Sequence, residues 1–218
     1  MCTVTAIFNK KEFILTSNRD IQVDRKHSLP PKTICYNGID IISPIDPEGN
    51  GTWIGASSKY IACLLNNLGE EKRDITSRGL LVNKVLSEEI SLNSLSNETK
   101  KYNPYVLLIF DRSQRDFWEM TWDGYKYQER SLKLENKIWL SSTIYSKNEV
   151  LRKRELFLSV HPSFKSKEDV LDFHIKKNNL KKTNIKTTSV TQIYEGSNIE
   201  LNYRDLILKK NYKLKFSK

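Results

Sequence analysis

Apolar and β-branched residues run from Thr3 to Phe8, break at the polar Asn9-Lys10-Lys11-Glu12, and resume from Phe13 to Ser17. That pattern predicts a hairpin, with the N-terminus opening an inner strand. Short strands are expected at Thr33–Tyr36 and Asp40–Ile42. After the turn-forming stretch Pro44 to Gly51, a second hairpin is expected from Thr52–Ala56 and Tyr60–Leu65. From Ser77 the period changes: Leu80, Leu81, Val85, Leu86 and Ile90 have helical spacing, and Leu92 with Leu95 continues into a second short helix. Strands return at Val106–Phe110, Asp116–Trp122 and Tyr125–Arg130, and once more ahead of Leu140. Val150, Leu151, Leu156, Leu158 and Val160 then mark a helix that ends before Pro162. Lys167–Lys177 marks another, with Val170, Leu171 and Phe173 on its apolar face. Thr187–Tyr194, Ile199–Tyr203 and Tyr212–Phe216 read as closing strands. Sheet, helices, sheet, helices, sheet describes an α+β chain of two facing sheets with helices outside.

At 218 residues the chain is long enough for one substantial core, and a single domain spanning 1–218 is expected, with a basic C-terminal tail over about 204–218. Met1 to Lys11 lacks the basic and apolar regions of a secretory signal, and no run reaches the roughly 20 apolar residues of a membrane helix. Three widely spaced cysteines, Cys2, Cys35 and Cys63, form neither a disulfide framework nor a zinc pattern. A soluble, cytoplasmic protein is therefore expected, with no bound metal.

The net charge of +10 is unevenly placed: residues 1–100 hold 12 Lys and Arg against 12 Asp and Glu, and 101–218 hold 24 against 14. Lys176-Lys177, Lys181-Lys182 and the segment from Lys209 carry much of the excess. Aromatics are not interleaved with these lysines as stacking platforms, so the runs read as solvated faces and nucleic acid is not the expected partner.

Cys2 stands directly behind Met1. Removal of Met1, which a small second residue permits, leaves a thiol and a free α-amine on one residue. An α-amine titrates near pH 8, so it can take the thiol proton around neutrality. Other chemistries are not written here. Gly49, Gly51 and Gly55 have the wrong spacing for a dinucleotide loop and precede a strand, and there is no phosphate-binding loop, nucleophile elbow or metalloprotease helix. His27, His161 and His174 lack partners in any metal or triad pattern.

Met1-Cys2, Asn18-Arg19-Asp20, Gly51-Thr52-Trp53-Ile54-Gly55, Leu64-Leu65-Asn66, Tyr102-Asn103-Pro104 and Leu140-Ser141-Ser142 occur in this order. The set resembles the Asn-Arg-Asp-Glu (NRDE) family, which includes the transport-and-Golgi-organisation proteins, from Met1 to about Tyr203. That family looks related to the N-terminal-nucleophile hydrolases of the cysteine branch. The resemblance implies a four-layer αββα sandwich and a Cys-dependent amidohydrolase acting on a non-peptide C–N bond of a small molecule.

On the same resemblance Cys2 is the nucleophile, Asp20 holds its α-amine, Arg19 lowers the thiol pKa or binds a substrate carboxylate, and Asn66 supplies an oxyanion donor. Asn18, Trp53 and Ser142 are further expected binding positions. Ile21 stands where the family motif has Glu, and Ser142 where the hydrolases have a second Asn. Arg19 and Asp20 are adjacent, so strand alternation sends them to opposite faces, and Asp20 is the one expected at its hydrolase counterpart's position. No cofactor is implied for catalysis. The alternative is a non-catalytic carrier or trafficking factor on the same fold, handling heme or lipid; Met120, Cys2, a tyrosine or an unpaired histidine would then ligate heme. A homodimer is compatible with the chain, although no exposed stripe argues for one.

Overall fold

The computed structural model describes residues 3–9, 11–72, 75–180 and 182–216. In chain order the strands and helices begin with β1 (Thr3–Asn9), β2 (Glu12–Gln22), β3 (Leu29–Tyr36), β4 (Ile39–Ile45), β5 (Ile54–Ala56), β6 (Tyr60–Asn66), α1 (Arg78–Leu86) and α2 (Leu95–Glu98). They continue with β7 (Tyr105–Asp111), β8 (Asp116–Trp122), β9 (Tyr127–Leu132), β10 (Lys137–Leu140), α3 (Lys147–Val160), α4 (Lys167–Asp172), β11 (Ile185–Glu195), β12 (Ile199–Asp205) and β13 (Lys210–Phe216). Two antiparallel sheets and these helices make an α+β protein, as the sequence pattern predicts. The chain divides into two compact units: Met1–Arg25 with Glu135–Lys215, and Lys26–Leu134 with Phe216–Lys218.

The first unit is built on a six-stranded sheet in the order β10-β1-β2-β11-β12-β13. The expected hairpin is present, with Val4 opposite Ser17 and Asn9 opposite Glu12, and β2 runs on to Gln22 so that Asn18, Arg19 and Asp20 pair with β11. One face carries Ile7, Ile14 and Ile138, which pack with Phe157 of α3, Val170 of α4 and Phe173. Burying side chains of this size contributes about 1.5–3 kcal/mol each.

Both helices start with capping boxes. Ser146 Oγ accepts the Glu149 N–H while Glu149 reaches back to the Ser146 N–H, and Ser166 and Asp169 repeat the arrangement. In α3 the expected apolar face is partly wrong. Leu151 and Leu158 are 56% and 61% exposed, and Phe157 is the buried residue. Positions 150, 153, 157 and 160 face the sheet at helical spacing, so a half-buried lysine, Lys153, occupies an inward position.

The second unit is a seven-stranded meander whose spatial order, β3 to β9, is its chain order. Leu81, Val82, Val85 and Leu86 of α1 pack with Leu107, Ile109, Met120 and Trp122 of the sheet. The segment read as a second short helix is a 3₁₀ turn, Leu92–Ser94, running into α2. Gly51 explains part of the Gly-Thr-Trp-Ile-Gly motif. The Thr52 N–H donates to Gly79 O at 3.1 Å, and a Cβ on Gly51 would stand 2.6 Å from both Gly79 O and Leu80 N. The first turn of α1 therefore sits directly on residue 51. Gly51→Ala should push that turn away and cost about 1–3 kcal/mol, read as a lower urea midpoint with an unchanged slope.

Candidate functional site

Strand β2 supplies the centre of the site. Alternation places Asn18 and Asp20 on the helix-covered face and Arg19 on the other, and all three are buried. A bulge in β11 adjusts the pairing, so that Thr187 lies opposite Asp20 and Ser189 opposite Arg19 with Thr188 between them. Thr188 Oγ1 donates to Arg19 O at 3.2 Å.

Asp20 is fully buried, and its carboxylate is held by hydroxyls. Thr187 Oγ1 donates to Oδ1 at 2.5 Å and the Tyr145 hydroxyl to Oδ2 at 3.3 Å. Thr187 is fixed in turn by the Leu180 N–H, which donates to its Oγ1 at 2.7 Å. The Tyr145 hydroxyl also lies 2.9 Å from Thr3 Oγ1, and since it donates to Asp20, Thr3 is the donor in that bond. Burial raises the Asp20 pKa, against which the Thr187 and Tyr145 hydroxyls and the charge of Lys153 pull downwards.

Asn18 is engaged within the protein. Helix α4 continues as a π-turn, Phe173–Lys177, in which the Asn178 N–H bonds to Phe173 O at 3.0 Å. In an α-helix that N–H would bond to His174 O. The π-turn releases His174 O, and Asn18 Nδ2 donates to it at 3.4 Å and to Asn178 O at 3.0 Å. With its amide nitrogen so committed, Asn18 Oδ1 must accept from His174 Nδ1–H at 2.5 Å. His174 Nε2 then accepts from Thr5 Oγ1 at 2.7 Å. Buried and doubly bonded as a neutral ring, His174 has its pKa lowered by desolvation, and secondarily by Lys153, to about 3.

Lys153 Nζ donates to Asn178 Oδ1 at 2.9 Å and lies 5.0 Å from the centre of the Tyr145 ring. Burial lowers its pKa, with Asp20 and Glu149 pulling the other way. Ser142 lies in the turn after β10, whose last residue, Leu140, pairs with Thr3. On the Arg19 face, the hydroxyls of Ser189 and Thr191 are buried without a hydrogen-bond partner among the described residues.

Cys2 lies outside the described residues. Trp53 and Asn66 belong to the second unit, where Trp53 O accepts the Leu64 N–H at 2.8 Å and Asn66 ends β6 opposite Tyr105. No sequence pattern pairs Tyr145, Thr187, Lys153 or His174 with Asp20 and Asn18. The Ser146-x-x-Glu149 capping signature would have placed Tyr145 just ahead of a helix; nothing in the sequence marks the π-turn that presents His174.

Among the described residues no group of three or more His, Cys, Asp or Glu could hold a metal ion, and no helix is long and apolar enough to cross a membrane. Two of the side chains considered for heme do not fit as axial ligands: both ring nitrogens of His174 are hydrogen-bonded, and Met120 is buried in the core of the second unit.

An α+β chain with two antiparallel sheets and a buried, hydroxyl-bonded carboxylate on its second strand is thus the class that fold and site define. The chain belongs to the Transport and Golgi organisation 2 family, whose model matches residues 1–212. No curated protein matches it.

Proposed function

We propose that the protein is an N-terminal-nucleophile amidohydrolase of the cysteine type, with Cys2 exposed by removal of Met1. It acts on a non-peptide C–N bond of a small molecule, on a four-layer αββα sandwich of the NRDE kind. One observation carries the reading: Asp20, buried and ordered by Thr187, is joined through Tyr145 to Thr3, the residue that follows Cys2 in the chain. A buried carboxylate is stabilised by nearby cations: the charge of Lys153 already acts on Asp20, and an N-terminal ammonium would be a second such partner.

The α-amine takes the thiol proton, and the sulfur attacks the carbonyl carbon of the substrate amide. The C–N bond breaks as the ammonium returns its proton to the leaving nitrogen, which leaves an acyl-thioester on Cys2. Water, deprotonated by the same amine, then cleaves the thioester to release the acid and restore the thiol. Asp20 holds the amine throughout. Arg19, with the Ser189 and Thr191 hydroxyls on its face, provides donors for a substrate carboxylate. Asn66 and Ser142 are the proposed oxyanion donors, each worth about 100 to 1,000-fold in rate if it acts like other such groups.

An iodoacetamide pulse at neutral pH, followed by intact mass and peptide mapping, tests this without knowledge of the substrate. Cys63 is buried and Cys35 exposed, so Cys35 is the internal standard. The expected result is a protein lacking Met1 whose Cys2 reacts faster than Cys35, and in an amide screen Cys2→Ala loses all turnover. Retention of Met1, or a Cys2 no faster than Cys35, would replace the enzyme with the binding-protein reading.

A further inference from the structure

Tyr145 is set apart from the other tyrosines by what surrounds its hydroxyl. It donates to Asp20 on one side and receives Thr3 on the other. Two ammonium groups lie near its ring, Lys153 at 5.0 Å and Lys182 at 5.8 Å from the centroid. Lys182 is fixed by Glu149 at 2.7 Å and by Ile144 O at 3.2 Å, and Lys153 by Asn178. The residue sits at the end of the turn after β10, where its N–H reaches Ser141 O at 3.4 Å and the capping box of α3 begins with the next residue. A ring so held aims its oxygen at one place.

We propose that Tyr145 is a positioning residue for the Cys2 centre: its hydroxyl couples the orientation and charge of Asp20 to Thr3, so that carboxylate and N-terminus are held in register. The inference rests on the nucleophile reading above and names how that site is tuned. The charged or titratable side chains that act on Asp20 are Tyr145 from the turn and Lys153 from α3, and Lys153 is itself influenced by Glu149 and Lys182 and bears on the neutral His174 of the π-turn. The polar group that β11 contributes is Thr187, a donor that does not titrate.

Proton transfer from the thiol yields an ammonium, which an ionised Asp20 stabilises and a protonated one does not. The acid limb of Cys2 reactivity therefore follows Asp20. Removing the Tyr145 donor disfavours the carboxylate, and so does removing the charge of Lys153.

The test is the rate of Cys2 alkylation by iodoacetamide from pH 5 to 9 in the full chain, with thermal unfolding measured alongside. In Tyr145→Phe, which keeps the ring, the acid limb should move up by about half to one pH unit, a loss of roughly 3- to 10-fold at a fixed pH on that limb. Lys153→Gln should move it in the same direction, which keeps the test available if the first variant folds poorly. A limb that stays put in both variants, with lower thermal stability or without, overturns the inference and leaves the nucleophile reading in place. A wild-type Cys2 no more reactive than Cys35 overturns both.

Discussion

Asn18→Ala should lower the stability of the protein by about 3 kcal/mol or more, a large effect for one surface-free polar side chain. The substitution strips three buried groups of their partner at once: His174 O, Asn178 O and His174 Nδ1–H. A buried polar group left unsatisfied costs about 1–3 kcal/mol. The donor that an α-helix would give the carbonyl of His174 is already committed, because the π-turn sends the Asn178 N–H to Phe173 O. Urea unfolding gives the number, and faster amide exchange across residues 173–178 would locate the damage. A loss below 1 kcal/mol would mean that the π-turn is held by something other than Asn18.

The second large effect is on pH. The His174 pKa is about 3 when folded, against a reference value of 6.5. Between those values the unfolded chain binds a proton that the folded chain refuses, so stability is fully present above pH 6.5 and is lost as the pH falls toward 3. The slope from this group alone is about 1.4 kcal/mol per pH unit. Asp20, whose pKa burial raises, works in the opposite direction, since its folded form gains by protonation. Comparison with His174→Asn separates the two. The amide can keep a donor toward Asn18, so the variant should be less stable than wild type at pH 7, with a gap that narrows as the pH falls from 6.5 to 4.5. Urea midpoints at four pH values suffice, and a constant gap would show that His174 is not held neutral.

These two effects come from the part of the molecule least legible in the sequence. Hairpins and meanders are local, and their apolar and turn residues give them away: Asp116–Trp122 is read as a strand and is one, and Thr3–Phe8 with Phe13–Ser17 form the first hairpin. Alternation also predicts that Arg19 and Asp20 part company across β2, as they do. Helix α3 is less legible because apolar residues lie on both of its faces, and the inward stripe includes Lys153. The partners of Asp20 and Asn18 are separated from them by 125 to 167 positions. They are brought in by sheet order and by a π-turn, neither of which leaves a periodic trace.

The interrupted make-up of the first unit sets an order of events during synthesis. The meander of Lys26–Leu134 is one continuous stretch whose strands pair with their chain neighbours, so it can close as soon as it leaves the ribosome. The hairpin of β1 and β2 emerges earlier, yet its second edge stays open until β11 arrives with Thr187. Asp20 therefore stays an ordinary hydrated carboxylate until β11 arrives, 167 positions later at Thr187, and becomes the buried one only then. A chain cut between Leu134 and β11 keeps the meander and lacks the centre, so its product has no Asp20 site.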